Sequence, residues 1–220
     1  MRSYTNETFE FLRQLRDNNN RDWYNANKAT CTQLRKLFEA NVETLISAIG
    51  TFDPDVAFLA PSKAIFRLFR DTRFSHDKTP YKTHFGAVIS DIGRKSTKVC
   101  YYIQVSPGNS FVAGGIWSPQ PPTLRKLREG IFTQLDQLLE IIDQPPFNQH
   151  FTTFEGERLK RVPTIYNNQG FARPDLLQLK GLFVIHPLAD ELFEDDSWIT
   201  ETVRLCRIIY PLNRFINSYI

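Results

Sequence analysis

The chain has 220 residues, 41% of them hydrophobic and 18 of them Phe, with a net charge of +3, which is enough apolar side chain to build one sizeable core without disulfides or a structural metal. A pI near 8.7 falls short of the value above about 9 that marks a dedicated nucleic-acid-binding domain, and Cys31, Cys100 and Cys206, odd in number and far apart, suit a reducing cytoplasm better than a disulfide framework or a zinc site. No window approaches the roughly 18 apolar residues of a membrane span, and MRSYTNETFEF has no apolar core ahead of a cleavage site, so the whole chain reads as mature protein.

Along the chain, Thr5 to Asp17 carries Phe9, Leu12 and Leu15 at near-helical spacing, then meets Asn18, Asn19 and Asn20, a stop and an N-cap. One long helix is expected from about Asp22 to Ile49, because Cys31, Leu34, Phe38, Val42, Leu45 and Ile49 form a helical stripe and Gly50 follows as a cap. From Ile65 the pattern turns to strands, AIFRLF, HFGAVI, VCYYIQV and SFVAGGIW, separated by turns at Gly93 and at Pro107, Gly108 and Asn109. Connections this short favour an antiparallel meander. Pro121 and Pro122 open a helix expected to run to Ile142 on the stripe Leu124, Leu127, Ile131, Leu135, Leu138 and Ile142.

Beyond Pro145 and Pro146, PDLLQLK reads as a short helix and LFVIHP as another buried strand. The acidic run Glu194, Asp195 and Asp196 precedes a last helix from Ser197, which Pro211 should kink or restart. The order helices, strands, helices predicts a single α+β domain over residues 1–220, with an antiparallel sheet of about four or five strands packed against several long helices.

The densest charge lies in RDTRFSHDKTPYKTHFG, Arg70 to Gly86. If AIFRLF continues as a strand, its period of two puts Arg67, Phe69, Asp71 and Arg73 on one face, where Asp71 can hold two guanidinium groups for planar recognition of a phosphate or carboxylate. Asp77, Lys78, Lys82 and His84 follow around a turn set by Pro80, and the cations outnumber the acids. The plainer alternative makes Asp71 and Asp77 internal partners that fasten a loop. Surface pairs contribute only about 0 to 1 kcal/mol each, a weak reason for so dense a cluster.

Three further features are weighed in the same way. Arg125, Lys126 and Arg128 occupy the first turns of a helix, where the dipole is already positive; a bound anion there, or Glu129 and solvent, would absorb the penalty. Gly114 and Gly115 suit a bulge or a close backbone approach by a ligand. Arg21 and Lys28 are seven residues apart with Tyr24 between them and share a helix face, which is either a binding face or a solvated one.

No phosphate-binding loop and no dinucleotide fingerprint is present, and Ser75, His76 and Asp77 are adjacent, so they cannot converge as a triad. His76, His84, His150 and His186 are too scattered to propose a metal site, and no cofactor is implied. His84 with Asp71 or Asp77 would make a general-base pair if the fold brings them together.

Taken together, NNNRDWYNANK, FRLFRDTRFSHDKTPYKTHFGA, YYIQVSPGNSFVAGGIWSP and LKRVPTIY resemble the bacterial and fungal family known as domain of unknown function 2461, over nearly the whole chain. The resemblance implies a single α+β domain and brings no established activity. Its motif falls on Arg21, Trp23, Lys28, Arg67, Arg70, Asp71, Arg73, Phe74, Asp77, Lys78, Thr79, Pro80, Tyr81, Lys82, His84, Gly114, Gly115, Trp117 and Arg128. His76 stands where the family pattern has Lys, and NNQGFARP lacks the Asp and His of that pattern.

The leading expectation is a basic pocket for a phosphorylated or other anionic small ligand, built from Arg67, Arg70, Arg73, Lys78 and Lys82 with Tyr81 and Trp117 as flat walls. An enzyme would need Asp71, Asp77 or His84 unpaired in that pocket. The alternatives are a nucleic-acid-binding module, since basic and aromatic residues alternate, and a structural or protein-interaction role.

Overall fold

The structure, a computed structural model, describes residues 4–166, 170–195 and 197–220. Helix α1 (Tyr4–Asp17) stops at the Asn run, and Asn20 caps α2 (Arg21–Ala26), its side-chain oxygen accepting the Trp23 N–H at 3.0 Å. Asn27 then ends α2: its backbone N–H and its Nδ2 both donate to the Trp23 carbonyl, at 3.1 and 2.9 Å. Helix α3 (Lys28–Gly50) starts afresh. The single helix expected over residues 22–49 is therefore two, and Arg21 and Lys28 sit on different helices rather than on one face. The apolar stripe hid the break because it lies wholly within α3, which buries Cys31, Leu34, Phe38, Val42, Leu45, Ile46 and Ile49.

A short helix α4 (Pro61–Ala64) leads to a sheet of four strands among the described residues. These are β1 (Phe85–Ile89), β2 (Cys100–Val105), β3 (Ser110–Ile116) and β4 (Leu182–Leu188), antiparallel in the order β1-β2-β3-β4. Between β3 and β4 come α5 (Pro121–Thr133), α6 (Leu135–Ile142), α7 (Pro145–Asn148) and α8 (Pro174–Leu177). The helix expected to run from Pro121 to Ile142 breaks at Gln134, whose φ of −130° leaves the helical range. Pro187 is tolerated because β4 is an edge strand, where one side of the backbone needs no partner.

Helix α9 (Ser197–Asn217) passes through Pro211 without restarting. Pro211 and Arg207, whose carbonyl would have accepted the missing N–H, are both on the exposed side, where water can serve instead. Helices α3 and α9 pack on one face of the sheet. Phe38 stacks on Phe85 at 5.5 Å, and the inward residues Phe85, Ala87, Ile89, Tyr101, Ile103 and Val105 are buried in one continuous core with both helices. Asp196 and residues 167–169, which include part of NNQGFARP, lie outside the described residues.

AIFRLF is not a strand of the sheet. It runs beside the chain that leads into β1 but pairs with it only at Ile65 with Ala87 and at Phe69 with Tyr81. The ladder fails between those points because the two sides differ in length, and that mismatch shapes the site.

Candidate functional site

Segment 65–70 is antiparallel to 80–87: Phe66 N–H donates to the Gly86 carbonyl at 2.9 Å, Lys82 N–H to Leu68 at 2.7 Å, and Arg70 N–H to Pro80 at 2.9 Å. With Ile65 opposite Ala87 and Phe69 opposite Tyr81, the 81–87 side is two residues longer than the 65–69 side. The surplus is taken up as a bulge at Lys82, Thr83 and His84, and bulges re-aim side chains out of the ladder. The Thr83 carbonyl accepts instead from Ser106 Oγ at 3.3 Å.

Asn19 fastens this bulge from the other side. Its Nδ2 donates to the Tyr81 carbonyl at 2.9 Å and its Oδ1 accepts the Tyr81 N–H at 3.0 Å, so one amide side chain imitates a strand partner. Tyr81 in turn stacks on Tyr24 of α2 at 4.1 Å, and Phe69 closes on both rings at 5.1 and 5.5 Å. This aromatic trio seats α2 against the bulge. Burial first, then Cys31, whose thiol is hydrogen-bonded to the Tyr24 hydroxyl, and then Tyr81 raise the Tyr24 phenol pKa.

A cleft of about 450 Å³ opens between these parts. Arg16 and Asn19 line it from the end of α1 and the turn beyond, Arg70, Asp77 and Thr79 from the charged loop, and Tyr81 through His84 from the bulge. The sequence candidates Arg70, Asp77, Tyr81, Lys82 and His84 thus converge. Arg16, Asn19 and Thr83 were not among the candidates, and Thr79 was named only through the family motif. Asn19 read as a helix stop, and the bulge that turns Thr83 inward has no signature in residue periodicity.

Within the cleft the charges divide into two kinds. Asp77 accepts the Thr79 N–H and Oγ1, both at 2.9 Å, and pairs with the Arg70 guanidinium, which also contacts Thr79 Oγ1. Those bonds, the Thr79 N–H first, hold the Asp77 carboxyl down at about 2, so it is ionised and engaged. Lys82 is the other kind. Its ammonium lies 4.6 Å from the Phe66 ring centroid and has no carboxylate partner among the described residues, and burial, then Arg67, then Arg94, draw its pKa below the ordinary amine value. His84, also without a hydrogen bond among the described residues, is pushed down to about 4 by burial and by Lys82, so its imidazole is neutral at pH 7.

Asp77 and His84 share the cleft, but the hydrogen bonds of Asp77 all go to Arg70 and Thr79, so the two do not form a general-base pair in this structure. Asp71, Arg73 and Lys78 lie outside it. Arg73 grips Asp71 through Nε and Nη2 at 2.9 and 2.6 Å, which lowers the Asp71 pKa, and Lys78 Nζ donates to the Thr72 carbonyl at 2.9 Å. Arg73 is 76% exposed and Phe74 beside it 93%. Arg67 is exposed at the margin.

The remaining candidates are elsewhere. Trp117 follows the far end of β3, edge-on to Phe183 at 5.1 Å. A Cβ on Gly114 would stand 2.4 Å from Ile209 Cγ2, and one on Gly115, where φ is +106°, 2.0 Å from the Leu182 carbonyl oxygen. The close approach at this Gly pair is therefore made by α9 and β4. Arg128 is a strut, donating from Nε and Nη2 to the carbonyls of Leu177 and Leu179 at 2.9 and 2.8 Å. Arg21 and Lys28 are exposed. A second cavity, about 360 Å³ and lined in part by Phe147, Phe151 and the closed pair Arg173 and Asp175, holds none of these candidates.

Fold and cleft together define an α+β domain whose sheet carries a basic recess at the entry to its first strand. The family model described as "Conserved hypothetical protein (DUF2461)" matches residues 7–215, and the chain belongs to that family. No curated protein and no solved structure matches the chain. Among the described residues no helix is long and apolar enough to cross a membrane, and no group of three or more His, Cys, Asp or Glu side chains is placed to hold a metal ion.

Proposed function

We propose that the cleft binds a small anionic ligand, a phosphate ester or a carboxylate. The observation that carries this is the half-buried Lys82 ammonium, which pairs with no carboxylate among the described residues and has Arg67 and Arg94 close enough to disfavour its charge. A cation held out of water without a counter-ion is unfavourable, and an incoming anion supplies what the fold omits. Arg70 and Arg16 add donors, and Thr79, Thr83 and neutral His84 can complete the shell of hydrogen bonds. The rest of the loop to Thr79 has the structural part: its acids are paired within it and it holds one wall in place.

Isothermal calorimetry with phosphate, sulfate, citrate, sugar phosphates and a short mixed oligonucleotide tests this. Saturable binding of at least one small anion is expected, weakened about 30-fold by Lys82→Met, or about 2 kcal/mol, which lies within the 1.5 to 3 kcal/mol of a charged hydrogen bond. No binding by any small anion would contradict the proposal. Binding confined to the oligonucleotide and collapsing as salt rises would assign the cleft to nucleic acid instead.

A further inference from the structure

We propose that Lys82 is a condensing amine, which forms an imine with the aldehyde or ketone carbon of an anionic ligand seated in the cleft. This rests on the anion-binding reading above and names its ligand class: small oxo acids or oxo phosphates, in which a carbonyl stands close to the charge.

Lys82 differs from every other lysine in the chain. The remaining nine, at positions 28, 36, 63, 78, 95, 98, 126, 160 and 180, are exposed, whereas Lys82 is half-buried in the wall of a cleft. Lys98 pairs with Asp91 and Lys180 with Glu157, and Lys78 donates to a carbonyl, but Lys82 has an aromatic face and two guanidinium groups for neighbours. Lysines made nucleophilic in proteins are those desolvated or set beside another cation, because either circumstance favours the free amine. Both apply here, and the lowered pKa of Lys82 agrees with them. The donors of Arg70 and Arg16 in the same cleft would hold the ligand's negative group, so that its carbonyl carbon is presented to a fixed amine rather than to a mobile one.

The chemistry balances without a cofactor. The Lys82 ammonium releases a proton to water, and the nitrogen lone pair then attacks the carbonyl carbon to give a carbinolamine. The carbinolamine oxygen takes up protons and leaves as water while the C=N bond forms. No electron is gained or lost until a reductant is added.

The test is trapping. The full chain is incubated at pH 7 with pyruvate or with dihydroxyacetone phosphate in the presence of cyanoborohydride, whose hydride adds to the imine carbon and fixes a secondary amine, and all ten lysines are mapped by peptide mass. The expected result is label on Lys82 at least ~10-fold above any other lysine, suppressed by lactate, which carries the carboxylate without the carbonyl. Label spread evenly over the exposed lysines, with calorimetric binding of phosphate or lactate intact, overturns the imine and leaves the anion site standing. Neither selective label nor any heat of anion binding overturns both. Labelling of Lys82 by neutral acetone as fast as by pyruvate would overturn the assignment to anionic carbonyl compounds.

Discussion

The two halves of RDTRFSHDKTPYKTHFG treat charge in opposite ways. From Arg70 to Thr79 each acid has its own cation: Arg73 on Asp71, Arg70 on Asp77, with Lys78 tied to a backbone carbonyl. From Tyr81 to His84 a cation and an imidazole stand with no acid bonded to either among the described residues. The first half holds five charged residues and the second only Lys82, yet only the second leaves electrostatic demand unmet among the described residues. Charge density marks a place in the chain, and the absence of a partner marks a site.

Lys82→Met gives the sharpest separation of the halves. Anion affinity should fall about 30-fold while the melting temperature holds or rises, because the cost of withdrawing a Lys from water without a counter-ion offsets its contact with the Phe66 ring. Calorimetry and thermal melts read the two effects separately. Asn19→Ala comes next: it removes both bonds to the Tyr81 backbone and should cost about 1 to 2 kcal/mol of stability by denaturant unfolding, with weaker anion binding because the bulge loosens.

Arg70→Ala should cost about 1 kcal/mol and reduce affinity less than Lys82→Met, since its guanidinium is shared between Asp77, Thr79 and the cleft. Arg73→Ala is the smallest effect, with little change in stability and none in affinity, because the pair it breaks is exposed. If Arg73→Ala abolished anion binding and Lys82→Met did not, the two halves would have to exchange roles.

Much of the fold was legible because it follows local periodicity. The stripe of α3, the apolar runs of β1 and β2 between turn residues, and the Asn cap of α2 all express rules that act over a few residues. The failures come from longer range. Asn27 breaks a helix by serving as the last partner of one helix while it leads into the next, and nothing in the apolar pattern changes there. AIFRLF has strand composition, but its neighbour is two residues too long to pair with it throughout. That mismatch depends on where a distant segment begins, which no window of sequence contains.

The residues of the candidate cleft were legible to the same degree. Lys82, Arg70, Asp77, Tyr81 and His84 were found through charge in one run of chain. Asn19 and Arg16 reach the cleft from more than fifty residues away, and a helix stop or a last-turn cation at those positions looks the same whether or not it faces a ligand. Gly114, Gly115 and Arg128 show the converse. A glycine that admits a helix and a glycine that admits a ligand are identical in sequence, as are an arginine strut and an arginine donor; only the identity of the nearest atoms separates them.

The central claim, that the bulge carries unmatched positive charge waiting for an anion, is tested most directly on the His84 imidazole by NMR from pH 3 to 8, with and without inorganic phosphate. Burial and Lys82 should place its midpoint at about 4 in the free protein. Since that lies below the ordinary 6.5, His84 also favours folding above pH 6.5 and loses that contribution as pH falls toward 4. Phosphate in the cleft should move the midpoint upward by offsetting the Lys82 charge. A midpoint near 6.5 that phosphate does not move would mean that His84 and Lys82 share no such recess, and the account would be wrong.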